Sequence, residues 1–214
     1  MSSATEQLRA PVAHDPGERP FSESLRGWLA ADHEHTLGTL LRAFSDKSFA
    51  VLFVVLLAMP ALPLPTGGLT HIFEIVTMLV ALELIAGRRE VWMPQRWHRL
   101  SLDGASQQRF IGSLTRLVAR LERISRPRLR RLLRLRIADR LFGLAILVCA
   151  AGAFIAPPFS GLDTLPALGG VTVSIGVLLE DLAIVALGAA FATGGIALEL
   201  ILGTAAYSGI TGIL

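Results

Sequence analysis

The sequence predicts an all-α, polytopic integral membrane protein: two Pro/Gly-broken helical hairpins, loosely repeated, around an Arg-rich amphipathic segment. Three observations carry this. Of 214 residues, 52% are hydrophobic and only 17% charged, and the mean hydropathy is +0.58, a composition foreign to water-soluble globules. Charge is also segregated. Residues 48–87 hold Glu74 and Glu83 but no Lys or Arg, and residues 141–214 hold Asp163, Glu180, Asp181 and Glu199 and no basic side chain. Such stretches bury their length in lipid or in one another. Finally, fifteen of the 20 Lys and Arg lie within residues 88–140, all fifteen are Arg, and only Glu90, Asp103, Glu122 and Asp139 oppose them.

The elements follow in order. Residues 1–21, with Pro11, Pro16, Gly17 and Pro20 among polar side chains, read as a disordered tail without the charged-then-apolar pattern of a signal peptide. Over 22–44, Leu25, Trp28, Leu29, Leu37, Leu40, Leu41 and Phe44 recur at helical spacing behind Ser22, an expected N-cap. This predicts an amphipathic helix interrupted at 31–35, lying on the membrane surface or against the chain's own basic segment.

The first broken hairpin occupies 45–87. Its opening apolar run, 48–59, is about 18 Å long as helix, against a hydrocarbon core of roughly 30 Å, and is too short to span alone. Pro60, Pro63 and Pro65 then break the backbone, Gly67 and Gly68 loosen it, and 69–86 supplies a second apolar stretch.

Residues 88–140 form the Arg-rich part. Trp92 and Trp97 among Arg residues have the composition of a membrane–water boundary. Phe110, Ile111, Leu114, Leu117, Val118, Leu121 and Ile124 step by three and four, with Arg109, Arg116, Arg120 and Arg123 on other faces, which predicts an amphipathic helix. An Arg at mid-membrane costs ~2.5 kcal/mol or more, so this segment stays out of the hydrocarbon. Residues 141–214 then repeat the first pattern. An apolar run reaches Ala156, Pro157 and Pro158 break it before Gly161, and a further run leads to Glu180-Asp181. Residues 182–202 are long enough for a full span. By the positive-inside rule the Arg-rich segment is expected in the cytoplasm.

Several side chains are candidates for chemistry. His71 and Glu74, three residues apart on one helical face, suit proton relay or solute contact beside the first break. Glu83 is expected either to pair with Arg88 or Arg89 or to gate a site, and Glu180-Asp181 either to form a turn or to line a polar cavity. Backbone accounting unites the breaks. Prolines 60, 63, 65, 157 and 158 lack amide donors, so Pro60, Pro63, Pro65, Gly67, Gly68, Pro157, Pro158 and Gly161 are expected to meet at one small hydrated site. Arg126, Arg128, Arg130, Arg131, Arg134 and Arg136 are expected to bind anionic lipid headgroups, and nucleic acid is not expected as a partner.

Enzyme signatures are missing from the sequence: there is no phosphate loop, nucleophile elbow or metal-ligand spacing, and neither metal nor cofactor is expected. His33 and His35 face different ways on a helix, and Cys149 is the single cysteine in an apolar run. Gly169, Gly170, Gly188, Gly194 and Gly195 suit close helix packing and lead to the expectation of a homodimer.

Ordered motifs carry a family resemblance. Pro60-Ala61-Leu62-Pro63-Leu64-Pro65 precedes an apolar helix ending Glu83-Leu84-Ile85-Ala86-Gly87-Arg88 and then Trp92-Met93-Pro94. Arg126-Pro127-Arg128, Arg140-Leu141-Phe142-Gly143, Pro158-Phe159, Pro166-Ala167 and Gly176-Val177-Leu178-Leu179-Glu180-Asp181 follow. Over roughly residues 22–200 this resembles the ExoD family of bacterial exopolysaccharide-synthesis membrane proteins. It departs from the family's usual residues at Ala61, Glu83 and Leu182. The resemblance implies a multi-pass inner-membrane protein acting in exopolysaccharide synthesis or export, in contact with that machinery. Within that role, a non-enzymatic component or small-solute transporter is expected. An enzyme acting on a lipid-linked sugar and an assembly factor docking a cytoplasmic partner are the alternatives.

Overall fold

The computed structural model describes residues 20–31, 34–44, 47–62, 69–88, 90–92, 95–102, 104–125, 136–157 and 160–211. Among them are nine helices: α1 (Phe21–Ala30), α2 (Leu37–Ala43), α3 (Ser48–Ala58), α4 (Leu69–Ile85), α5 (Gln95–His98), α6 (Ala105–Ile124), α7 (Arg136–Ile155), α8 (Thr164–Leu178) and α9 (Leu182–Thr211). The all-α expectation holds for these residues, whose extended pairing is limited to the isolated bridge between Thr36 and Ser101.

The centre is α3. A helix that is apolar on every side is stable only when surrounded, and ten of the eleven α3 residues are buried, with Leu52, Phe53 and Leu57 nearly inaccessible. Helices α2, α4 and α8 surround it, and Phe53 meets Phe142 of α7 edge-on with ring centroids 5.5 Å apart. Around this core α4 packs on α7, and α8 packs on both α7 and α9.

The α8–α9 pair is a tight antiparallel hairpin closed by small residues. A Cβ on Gly188 would lie 2.5 Å from the Val173 amide nitrogen, and one on Gly169 would lie 2.6 Å from that of Ala192. Gly195 approaches Pro166 and Gly170 approaches Leu57 in the same way, whereas Gly194 meets nothing. Four of the five glycines behind the dimer expectation are therefore filled within the chain.

The amphipathic N-terminal region is split in two, as the interruption at 31–35 predicted. Helix α1 packs on α6. Ser22 is not its N-cap, a position held by Pro20; instead the Ser22 amide donates to Glu122 Oε1 at 3.0 Å and its hydroxyl to Glu122 Oε2. Helix α2 opens on a capping box between Thr36 and Thr39. Its Gly38 lies so close to His98 that an added Cβ would sit 2.8 Å from the His98 carbonyl oxygen.

Ile137–Ile155 and Leu182–Ala205 are long and apolar enough to cross a membrane, whereas Ser48–Ala58 and Thr164–Leu178 are apolar but shorter. The outer surface matches them. On α4 the exposed residues include Ile72, Ile75, Leu79 and Leu82, and on α7 Ile137, Leu141, Leu144, Val148 and Ile155. Stripes this size are costly in water and match an apolar surrounding.

A candidate acidic site beside the helix breaks

Helix α4 is built inside out. Its buried face carries Thr70, Glu74 and Thr77, then Val80, Ala81 and Leu84, positions that recur at steps of three and four. Its first two buried turns are thus polar while its outer face is apolar. Thr77 satisfies its hydroxyl on the Phe73 carbonyl at 2.7 Å. Glu74 has no such outlet: its side chain is 0% exposed, and neither carboxylate oxygen finds a hydrogen-bond partner. Its nearest polar neighbour is His71, whose Nδ1 lies 2.9 Å from Oε2. At that distance the two side chains form a close acid–imidazole contact, and no amide or hydroxyl reaches either carboxylate oxygen.

Three other elements converge on this pair. The His71 ring lies against Phe154 at the end of α7, with centroids 5.2 Å apart. Asp163, at the N-cap of α8, makes no side-chain capping bond, and its charge acts on both Glu74 and Glu199. Glu199, in α9, also feels Glu74 and has a buried, unpartnered Oε1. Burial pushes the Asp163 carboxyl above the usual carboxylate range, against the opposing pull of its own and Thr164's backbone amides and of His71. The cluster is thus three carboxyls and one imidazole, and no Lys or Arg occurs in residues 48–87 or 141–214. Among the described residues, no group of three or more His, Cys, Asp or Glu is arranged to hold a metal ion.

The remaining sequence-predicted residues divide by position. Pro60 is fully buried just past α3, Pro157 is exposed, and Gly161 turns the chain toward α8 with φ +69°. Pro63, Pro65, Gly67, Gly68 and Pro158 lie outside the described residues, as do Arg126, Arg128, Arg130, Arg131 and Arg134; Arg136 begins α7.

Glu83, Glu180 and Asp181 belong elsewhere. Glu83 accepts from the Trp92 amide at 3.0 Å and sits 3.8 Å from Arg88, about 14 Å along α4 from Glu74 at 1.5 Å per residue. Glu180 and Asp181 form the α8–α9 turn. Lys47 Nζ lies 3.1 Å from Glu180 Oε1 and donates to the Leu178 carbonyl at 2.9 Å, while Asp181 Oδ1 accepts from the Ala183 amide at 2.8 Å and caps α9. Helix α8 separates this turn from Asp163 by about 22 Å.

Comparison with known proteins adds a family. The model of the family described as "Exopolysaccharide synthesis, ExoD" matches residues 21–201. An uncharacterized protein of Synechocystis sp. is 30% identical over 145 residues, covering 68% of each chain. Protein ExoD of Rhizobium meliloti is 26% identical over 211 residues, covering 94% of this chain and 85% of the relative. No solved structure matches.

Proposed function

Because this chain belongs to the exopolysaccharide-synthesis ExoD family, and so to exopolysaccharide production, we propose that it is a multi-pass, non-enzymatic membrane component that moves a small solute or ion at the acidic site. The observation that carries the reading is the inverted α4. A helix with Thr70, Glu74 and Thr77 inside and Ile72, Ile75, Leu79 and Leu82 outside is arranged for an apolar surrounding and a polar interior. Two contacts add support. Helix α3 packs on α8 and α4 on α7, and exchanging the hairpin α3–α4 with α7–α8 converts one contact into the other, the relation expected of a repeat-built transporter. In this reading the Arg-rich segment faces the cytoplasm and anionic lipid, and a second copy covers the exposed face of α9.

The test is genetic and biochemical. Cells lacking the gene are complemented with the wild-type chain, Glu74→Gln or the surface control Glu23→Gln, and secreted polysaccharide is weighed. Wild type and Glu23→Gln should restore production, and Glu74→Gln should leave it at least tenfold lower at equal membrane abundance. Full restoration by Glu74→Gln would remove the acidic site from the function. Release of the protein from membranes by alkaline carbonate would remove the membrane reading altogether.

A further inference from the structure

We infer that His71, Glu74, Asp163 and Glu199 form a proton-exchange site in which Glu74 binds and releases the proton and His71 passes it toward Asp163. The inference deepens the proposed transport reading and names its ion.

Glu74 lies 2.9 Å from the imidazole of His71, and Asp163 and Glu199 are within electrostatic reach of Glu74. Among the described residues, the elements packed around Glu74 place no cation beside it. Helix α3 carries no titratable side chain. In α7, Arg136, Asp139 and Arg140 lie at the far end of the helix, Cys149 packs toward Gly170, and Phe154 is the side chain near His71. Helices α8 and α9 contribute Asp163 and Glu199 at this end, with Glu180 and Asp181 at the other. Ionising all three carboxyls here would leave at least two negative charges without a basic partner, one of them on the fully buried Glu74, where an unpaired charge is strongly disfavoured. Bound protons remove that charge.

A second observation singles out Glu74 within the cluster. It is fully buried, lies 2.9 Å from Nδ1 of His71, and receives no amide or hydroxyl on either oxygen. A purely structural buried carboxyl is normally satisfied by amides or hydroxyls. Thr77, one turn away, is satisfied in this way on its own helix, so Glu74 is left open toward the cluster. His71, a quarter exposed, connects it to the surface. The transfer is balanced: a proton leaves the Glu74 carboxyl for Nδ1 of His71, neutral acid plus neutral imidazole becomes carboxylate plus imidazolium, and the total charge is unchanged.

The experiment uses the full chain in lipid nanodiscs and infrared difference spectroscopy across roughly pH 5 to 9, where a buried Glu titrates. A carboxylic-acid band should appear reversibly, shift in D2O, vanish in Glu74→Gln, persist in Glu23→Gln and move its midpoint in Asp163→Asn. Absence of a titrating band, its survival in Glu74→Gln, or its displacement by Na+ at constant pH would overturn the assignment; the last result would make the site a metal-cation site. In parallel, vesicles containing the protein and a trapped pH dye are given a pH gradient, and acidification should be at least tenfold faster than in protein-free vesicles. A Glu74 band without flux would sink transport and leave the proton site standing. Flux undiminished in Glu74→Gln would do the reverse.

Discussion

Glu180 adopts φ +57°, the only positive φ outside glycine among the described residues. The cause is the end of α8. The Asp181 amide reaches back to the Gly176 carbonyl at 2.9 Å and the Glu180 amide to that of Val177 at 3.2 Å, the reverse turn in which the residue after the helix becomes left-handed and is usually Gly. An L-residue there costs about 1–2 kcal/mol. The Lys47–Glu180 pair, with side chains 38% and 22% exposed, returns about 0.2–1 kcal/mol at such exposure. Replacing Glu180 by Ala removes the side chain and keeps the strain, while replacing it by Gly removes both. The difference between the two variants isolates the backbone, whatever else the Glu180 side chain touches.

Glu180→Gly should therefore be more stable than Glu180→Ala by about 1 kcal/mol, and equal to or slightly above wild type. For a domain of this size that is a difference in apparent melting temperature of roughly 2–4 °C. The protein supplies its own reporter, since Cys149 is its only cysteine and is buried: a fluorogenic thiol reagent lights up when the fold opens. An Ala variant melting at or above the Gly variant would show that Glu180 is not strained.

Other perturbations test separate parts of the fold. Gly188→Ala must push a methyl into the Val173 backbone and should cost about 1–3 kcal/mol in the same melting assay, whereas Gly194→Ala, facing open space, should be neutral or gain up to about 1 kcal/mol of helix propensity. Asp163 holds its proton more tightly when folded, so its contribution is present below the ordinary carboxylate value and is lost as pH rises through the raised one. Asp163→Asn should accordingly melt above wild type at neutral pH, with the gain fading below the ordinary Asp value; an equal gain at all pH values would rule that out. Ser113→Cys, exposed on α6, placed in a Cys149→Ala chain, should react with an impermeant thiol reagent only after cells are opened; labelling of intact cells would put the Arg-rich segment outside.

What the sequence could reveal depended on whether the signal was local. Short apolar runs against prolines marked α3 and its break, because helix length and proline chemistry are read along the chain. The split into α1 and α2 and the stripe of α6 were periodic, hence legible. His71 and Glu74 share a helix, so their meeting followed from spacing. Asp163 and Glu199 did not stand out as site residues, since their approach to Glu74 joins α4, α8 and α9 and needs tertiary packing. Nor does α9, apolar around nearly its whole circumference, reveal which side Glu199 faces. One signal was overlooked: Thr70, Glu74 and Thr77 share a wheel face opposite Ile72, Ile75 and Leu79, which already marks the polar interior. The glycine spacing alone suits a second subunit equally well, yet the three residues between α8 and α9 make α9 the nearest surface for α8, and the hairpin fills most of the glycines first.

Helix α8 ties the two ends of the molecule together. Its 15 residues align peptide dipoles into roughly half a positive charge at the N-terminus and half a negative one at the C-terminus. Asp163 stands at the first end and Lys47, bonded to the Leu178 carbonyl, at the second, so both charges are placed favourably, by about 0.3–1 kcal/mol each. For Asp163 this offsets only part of the burial cost, which still raises its carboxyl. Lys47 also anchors α3 to α8 at the turn end, while the glycine contacts with α9 fix how far α8 can slide. Loosening the Lys47 contact should therefore be felt some 22 Å away, as a change in how closely Asp163 approaches His71 and Glu74. In Lys47→Met the infrared midpoint of the Glu74 band should shift even though Lys47 touches none of the four site residues. An unchanged midpoint would mean that α9, and not the turn, sets the position of Asp163.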